Sequence, residues 1–224
     1  MTGNPLFYLT ELYERIGPGN LKVMQGVLPR LEVEDRIVMH KDPQEARQCF
    51  DELVAANPDL RIELQGDGTI IVMAPAGGES DYQNSEVVIQ LGNWAKADGR
   101  GKAFGGTLGC NLPDGSTLSP DAAWIPNHML NALPKAARRK YLPLVPPFVV
   151  EVKSPSDSKK ELRAKCRQWI ANGAELVWFI NGDDRTVWEY FGDTEQLIED
   201  AETLNGKGPI QGFVLDLRPI WEGL

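Results

Sequence analysis

Histidine and cysteine are scarce in this chain: 224 residues hold two histidines, His40 and His128, and three cysteines, Cys49, Cys110 and Cys166. Two histidines far apart argue against a histidine-based triad or a zinc centre, and they leave Ser154 and Ser156 without a base to make either a nucleophile. Three widely spaced cysteines form no disulfide framework and suit a reducing compartment, so a cytoplasmic location is expected. No apolar run approaches the roughly 18–20 residues that span a bilayer. The opening "MTGNPLFYLTELYERIG" lacks a basic segment followed by an apolar one, so no signal peptide is expected. Repeats and low-complexity tracts are absent as well.

Apolar residues make up 42% and charged residues 25%, enough for a substantial core. Acids outnumber bases, and the formal net charge is -9. A uniformly acidic surface would repel phosphate backbones, which proteins hold with Lys and Arg. The charge is not uniform. Residues 135–167 carry ten bases (Lys135, Arg138, Arg139, Lys140, Lys153, Lys159, Lys160, Arg163, Lys165, Arg167) against three acids, about +7 in a chain whose remainder is about -16. A solvated helix face is the plain reading of such an island, and a phosphate-steering surface is the functional one.

Periodicity outlines the elements. "PQEARQCFDELVAANP" (43–58) repeats apolar residues at helical spacing, and "LRIELQGDGTIIVMAP" reads as a hairpin about Gly66-Asp67-Gly68. A helix is predicted from Gln83 to Asp98, stopped by Gly99. "GKAFGGTLGCNL" and "GSTLSPDAAWIP" follow as strands joined at Pro113-Asp114-Gly115. After a basic segment, 127–145, comes a strand ending at Lys153. Ser158 and Glu161 then form a capping box for a helix to about Asn172, and "AELVWFI" and "TVWEYF" are strands about "NGDDR". The order helix, three strands, helix, strand gives a mixed α/β (α+β) fold. We expect a single domain, 1–224, with an N-terminal extension over 1–45, a core over 46–192 and a C-terminal extension over 193–224.

Within "FVVEVKSPSDSKKELRAKCRQW" (148–169) a buried strand ends in Glu151 and Lys153, two apart and so on one face. They are either a surface ion pair or chemistry delivered by the strand. Asp121, after Pro120 in "LSPDAAWIP", sits in the preceding strand. Neighbouring strands lie about 4.8 Å apart, so Asp121 and Glu151 can converge on one hard cation such as Mg²⁺ or Mn²⁺. Such an ion acidifies bound water and stabilises charge on a phosphoryl oxygen, and Lys153 beside it can orient the attacking water.

Pro120-Asp121 followed by Glu151-Val152-Lys153 resembles the PD-(D/E)XK motif of the restriction-endonuclease-like nuclease superfamily. The order of elements is similar to that superfamily's αβββαβ core, a mixed central sheet flanked by helices, here with an added hairpin. "NPDLRIEL…GTIIVMAPAGGES", "SPDAAWI", "PFVVEVKSPSD" and "KCRQWIANGAELVWFI" further resemble, in this order, a subgroup of restriction-endonuclease-like proteins widespread in bacterial genomes. The resemblance spans about residues 45–192. It implies metal ligation by Asp121, Glu151 and the Val152 carbonyl, with Lys153 as the catalytic lysine. It also implies an acid from the first core helix, Glu79 or, as second choice, Glu86, although Ser80 stands where relatives place a histidine. From the next helix Gln168 or Lys165 is implied near the scissile group, and 127–145 as a loop or lid over the cleft.

The implied activity is phosphodiester hydrolysis by a DNA endonuclease dependent on Mg²⁺ or Mn²⁺. Lys159, Arg163 and Lys165 would meet the nucleic acid, and a homodimer would cut both strands. The alternative is a catalytically weak or inactive nuclease-fold module that binds nucleic acid or a protein partner. A metal-free structural protein would instead pair Lys153 with a surface acid.

Overall fold

The computed structural model describes residues 37–57, 60–73, 76–155 and 157–224. The assignments made above within residues 1–36, and Ser156, lie outside the described residues. In chain order the elements are β1 (Ile37–His40), α1 (Pro43–Ala56), β2 (Arg61–Leu64), β3 (Thr69–Met73), α2 (Gly78–Asp98), β4 (Gly101–Gly105) and β5 (Cys110–Asn111). Next come β6 (Thr117–Leu118), β7 (Ala122–Pro126), α3 (Asn127–Ala132), β8 (Phe148–Val152), α4 (Lys159–Ala171) and β9 (Leu176–Asn181). The chain closes with β10 (Thr186–Phe191), β11 (Thr194–Glu199), β12 (Thr203–Asn205), β13 (Val214–Asp216) and α5 (Arg218–Glu222).

These elements form two compact units, the first made of the described residues before Ala76 plus Asp114–Leu118, the second of the remaining described residues. In the first unit β1, β3, β2 and β6 lie side by side in that order. Helix α1 starts where Asp42 accepts the Gln44 N–H and Pro43 occupies a position that needs no intrahelical donor. Its Ala46, Phe50 and Leu53 are buried.

The second unit holds the larger sheet. Its six-stranded sheet runs β11-β10-β9-β8-β7-β4, with β8 and β9 parallel and all other neighbours antiparallel. Strand β8 is buried at every position, as a central strand covered on both faces must be. Alternation splits it. Phe148, Val150 and Val152 face α2 and pack with Val87, Leu91 and Ala95 in the main apolar cluster. Leu204, Phe213, Leu215 and Ile220, from beyond residue 193, complete that cluster. The opposite face carries Val149 and Glu151 and is covered by α4 through Leu162, Cys166 and Trp169.

Three local expectations change. Helix α2 begins at Gly78 rather than near Gln83, because its first turn is polar, with Glu79 and Asp81 favoured at the positive helix end but invisible to an apolar period. "GSTLSPDAAWIP" is two strands, β6 and β7, because Pro120 has no N–H to donate to a ladder. Ser158 stands at the N-cap of α4 but makes no side-chain capping bond, while the neighbouring Asp157 carboxylate turns back to the Ser154 N–H and hydroxyl at 2.8 and 2.6 Å. Among the described residues no helix is long and apolar enough to cross a membrane.

Candidate active site

Asp121 precedes the first residue of β7, and Glu151 lies near the end of β8. The antiparallel register pairs Ala122 with Val150, so one step further sets Asp121 opposite Glu151 on the α4 face. The Asp121 N–H donates to the Val150 carbonyl at 3.0 Å, which holds the last step of the ladder in place. Both carboxylates are almost wholly covered, Asp121 7% and Glu151 1% exposed. Burying two anions side by side requires donors around them.

The donors are specific. Asp121 Oδ2 accepts the Val152 N–H at 2.8 Å. Glu151 Oε1 accepts the indole N–H of Trp169 at 2.7 Å, and Glu151 Oε2 meets the Lys165 ammonium at 3.1 Å. Lys165 also donates to the Ser119 carbonyl at 3.0 Å, tying α4 to the approach of Asp121. Lys165 and Trp169 are one helical turn apart and so address the same carboxylate.

Lys153 is on the same face, but its ammonium points along the sheet end. It donates to the Ser154 carbonyl at 2.9 Å and to Asp183 Oδ2, in the β9–β10 turn, at 3.3 Å. Asp183 is an exposed acid, its side chain 65% accessible. This pairing is the one that a metal-free reading of Lys153 predicted. Gln168 lies half-buried one residue before Trp169.

Glu79 is not brought to the two carboxylates. Its oxygens accept the Gln83 side-chain N–H at 3.3 Å and the Leu224 N–H at 3.2 Å, on a helix that covers the other face of the sheet. Glu86 lies two turns further along the same helix, half-buried. Among the described residues no group of three or more His, Cys, Asp or Glu side chains is arranged to hold an ion.

The second half of the basic island, from Lys153 on, is largely neutralised in space. Lys159 pairs with Asp184 and so holds its carboxyl below the usual carboxylate range. Arg163 and Arg167 both clasp Glu195. Partial burial pushes the Glu195 carboxyl up, but the two arginines outweigh it and leave it lowered. Lys135, Arg138, Arg139 and Lys140 are exposed and have no acid partner among the described residues. Their segment leaves β7 at the end remote from Asp121, folds into α3 and a 3-10 turn, and returns to pair Leu142 with Cys110.

The sequence reading gave Lys165 to the nucleic acid or the scissile group and assigned Trp169 no part in the site. Their spacing of four with a neighbouring buried acid was the available signal. Just behind them Cys166 is fully buried, and its thiol is pushed well above the usual range, by burial first and by the Glu151 charge second.

Two carboxylates can suffice for Mg²⁺, which keeps several waters and is usually held by one or two carboxylates together with substrate phosphates. The donor set therefore fits such an ion, with Lys165 and Trp169 fixing the Glu151 carboxylate beside the position it would take.

The architecture and the paired strand-end acids place the protein among the restriction-endonuclease-like folds. A crystal structure of "a putative nuclease belonging to DUF820" from Anabaena variabilis is similar, with a TM-score of 0.62 at 19% identity over 72% of this chain and 89% of that one. The chain belongs to the Uma2 family, described as "Putative restriction endonuclease", whose model matches residues 47–218. A cryo-EM structure of a DrdV–DNA complex matches 69% of this chain and 12% of that one at 11% identity, with a TM-score of 0.36, too loose a likeness to bear on the fold. No curated protein sequence matches the chain.

Proposed function

We propose that this protein is a divalent-metal-dependent phosphodiesterase, a DNA endonuclease of the restriction-endonuclease-like type. The observation that carries the reading is the pair of buried carboxylates, Asp121 and Glu151, opposite one another at one end of two rigid neighbouring strands. A hydrophobic core gains nothing from two adjacent buried acids, whereas a hard cation requires them. Asp121, Glu151 and the Val152 carbonyl would hold Mg²⁺ or Mn²⁺. Bound there, the ion would supply an acidified water and stabilise charge on the phosphoryl oxygens. Lys153, released from exposed Asp183, would donate a hydrogen bond to the attacking water's oxygen, orienting it and helping to hold it as hydroxide. Lys165 would stay on Glu151 as a positioning residue rather than bind phosphate. Lys159 and Arg163 would meet the DNA backbone near the site by exchanging Asp184 and Glu195 for phosphate, whereas Lys135, Arg138, Arg139 and Lys140, at the remote end of β7, would meet it only away from the scissile group. Cutting both strands would need two copies acting together, in the cytoplasm.

A nicking assay on supercoiled plasmid tests this. Purified protein should nick with Mg²⁺ or Mn²⁺ and not with EDTA, and Asp121→Asn, Glu151→Gln and Lys153→Met should each lower the rate at least a hundredfold. Metal-independent nicking, or full activity in Asp121→Asn, would sink the proposal.

The contact of Lys153 with Asp183 favours a second reading, a nuclease-fold module without activity. It predicts that calorimetry detects no Mn²⁺ binding to the wild-type protein, whereas the enzyme reading predicts binding that Asp121→Asn abolishes.

A further inference from the structure

The sheet face that carries Asp121 and Glu151 continues past them. Register sets Glu151 beside Phe179, Phe179 beside Trp188 and Trp188 beside Leu197, one row across β8 to β11. The next row is Asn181, Thr186 and Glu199. Beyond Glu151, the β9–β11 members of these two rows floor an open pocket of about 450 Å³, walled by Lys159 and Arg163 of α4 and rimmed by Asp184. Trp188 lies two strands from Glu151, about 10 Å away at ordinary strand spacing.

We propose that this pocket receives a nucleobase of the nucleic-acid strand whose phosphodiester is held at Asp121 and Glu151. The proposal rests on the phosphodiesterase reading for its geometry, but base binding itself needs no cleavage. Three observations select a base. The Arg163 guanidinium lies 3.7 Å over the Trp188 ring, and a guanidinium plane backed by an indole, with exposed Leu197 beside it, is a surface on which an aromatic heterocycle can stack. Asn181 is 2% exposed, and its Oδ1 is buried with no hydrogen-bond partner among the described residues. Its Nδ2 donates to Asp184 at 2.9 Å, which fixes the amide with Oδ1 as an acceptor still to be satisfied. Every nucleobase offers an N–H on its pairing edge, and a buried acceptor is penalised until such a donor arrives. Finally, Lys159 and Arg163 are balanced by Asp184 and Glu199 on the lining, so the pocket is neutral overall and offers a phosphate no net attraction. A neutral, flat, hydrogen-bonding ring is what remains.

The test uses full-length protein in EDTA, where no cleavage occurs, and short single-stranded DNA oligonucleotides carrying one 2-aminopurine or, at the same position, an abasic site. Wild-type protein should quench the 2-aminopurine and bind it about five- to a hundredfold more tightly than the abasic strand, the range expected for one stacked base. Trp188→Leu and Asn181→Leu should remove that preference, and Trp188→Phe should restore most of it. Circular dichroism checks the folding of each variant, and the abasic comparison on wild type needs no variant. Deoxynucleoside monophosphates form the second arm. Binding of these as tight as that of the oligonucleotide would retain the base pocket but make a free nucleotide its occupant. Equal affinity for base-bearing and abasic strands, or no binding to either, overturns the proposal. Failure of the plasmid assay with base-dependent binding intact would overturn the phosphodiesterase reading alone.

Discussion

The Lys165 ammonium lies 3.1 Å from Glu151 Oε2, while Trp169 holds the other oxygen of the same carboxylate at 2.7 Å. A residue of the basic helix is thus directed inward at an acid, and a tryptophan of the core has a polar task. Removing one partner of a buried pair strands the other, at a cost of about 3–5 kcal/mol when both are fully enclosed. Lys165 retains some solvent contact, so Lys165→Met should cost about 2–4 kcal/mol in urea unfolding. The double variant Lys165→Met, Glu151→Gln should regain part of that loss. Strict additivity of the two single changes would show that the pair is uncoupled.

Trp169→Phe keeps most of the ring volume and deletes one donor. A buried acceptor left short of a partner costs about 1–3 kcal/mol. The expected result is a lower melting temperature with unchanged far-UV dichroism. An unchanged melting temperature would mean that Glu151 finds a replacement donor.

Asp121 serves the fold as well, because it accepts the Val152 N–H. Asp121→Ala therefore should destabilise by about 1–3 kcal/mol, and Asp121→Asn, which keeps an acceptor oxygen, by less. Under the metal-site proposal, Mn²⁺ should raise the melting temperature of wild type and leave that of Asp121→Asn alone.

The bridge from Lys153 to Asp183 is exposed on the acid side, so it contributes about 0–1 kcal/mol. Asp183→Asn should leave unfolding unchanged within that margin. If Lys153 acts on the substrate, the same substitution should maintain or raise the nicking rate. A rate reduced tenfold would make Asp183 part of the machinery.

Burial pushes the Cys110 thiol up to about 12 and raises that of Cys166 well above its usual range. Cys49 is buried too. At pH 8 a thiol reagent should titrate almost nothing until denaturant is added, when three groups should react. Burial likewise raises Tyr190 to about 12. The unfolded chain loses that phenolic proton near pH 10 while the folded one keeps it. Stability from this group is therefore full below pH 10 and falls as pH rises toward 12, which unfolding curves across that range would show.

Much of the site was legible because it depends on short-range rules. Two-residue alternation put Glu151 and Lys153 on one face, and adjacent strands put Asp121 beside them. What the sequence hid was set by contacts across long separations. Asp183 and Asp184 arrive from a hairpin turn and Glu195 from a later strand, so Lys153, Lys159, Arg163 and Arg167, which look bare in one dimension, are paired in three. The polar first turn of α2 concealed its start, and Pro120 cut one expected strand into two. Glu79 was assigned by resemblance alone, and its helix covers the face opposite the carboxylates.

Strand β11 is the outer edge of the six-stranded sheet, and its outward row offers unpaired backbone groups that a second copy could extend. An antiparallel self-pairing centred on Leu197 would set Glu195 of each copy opposite Glu199 of the other, like charge against like. Glu195, which neutralises the helix arginines, therefore also protects this rim, together with Glu199, from sheet-to-sheet growth. Two molecules that cooperate on a duplex would have to meet through some other surface.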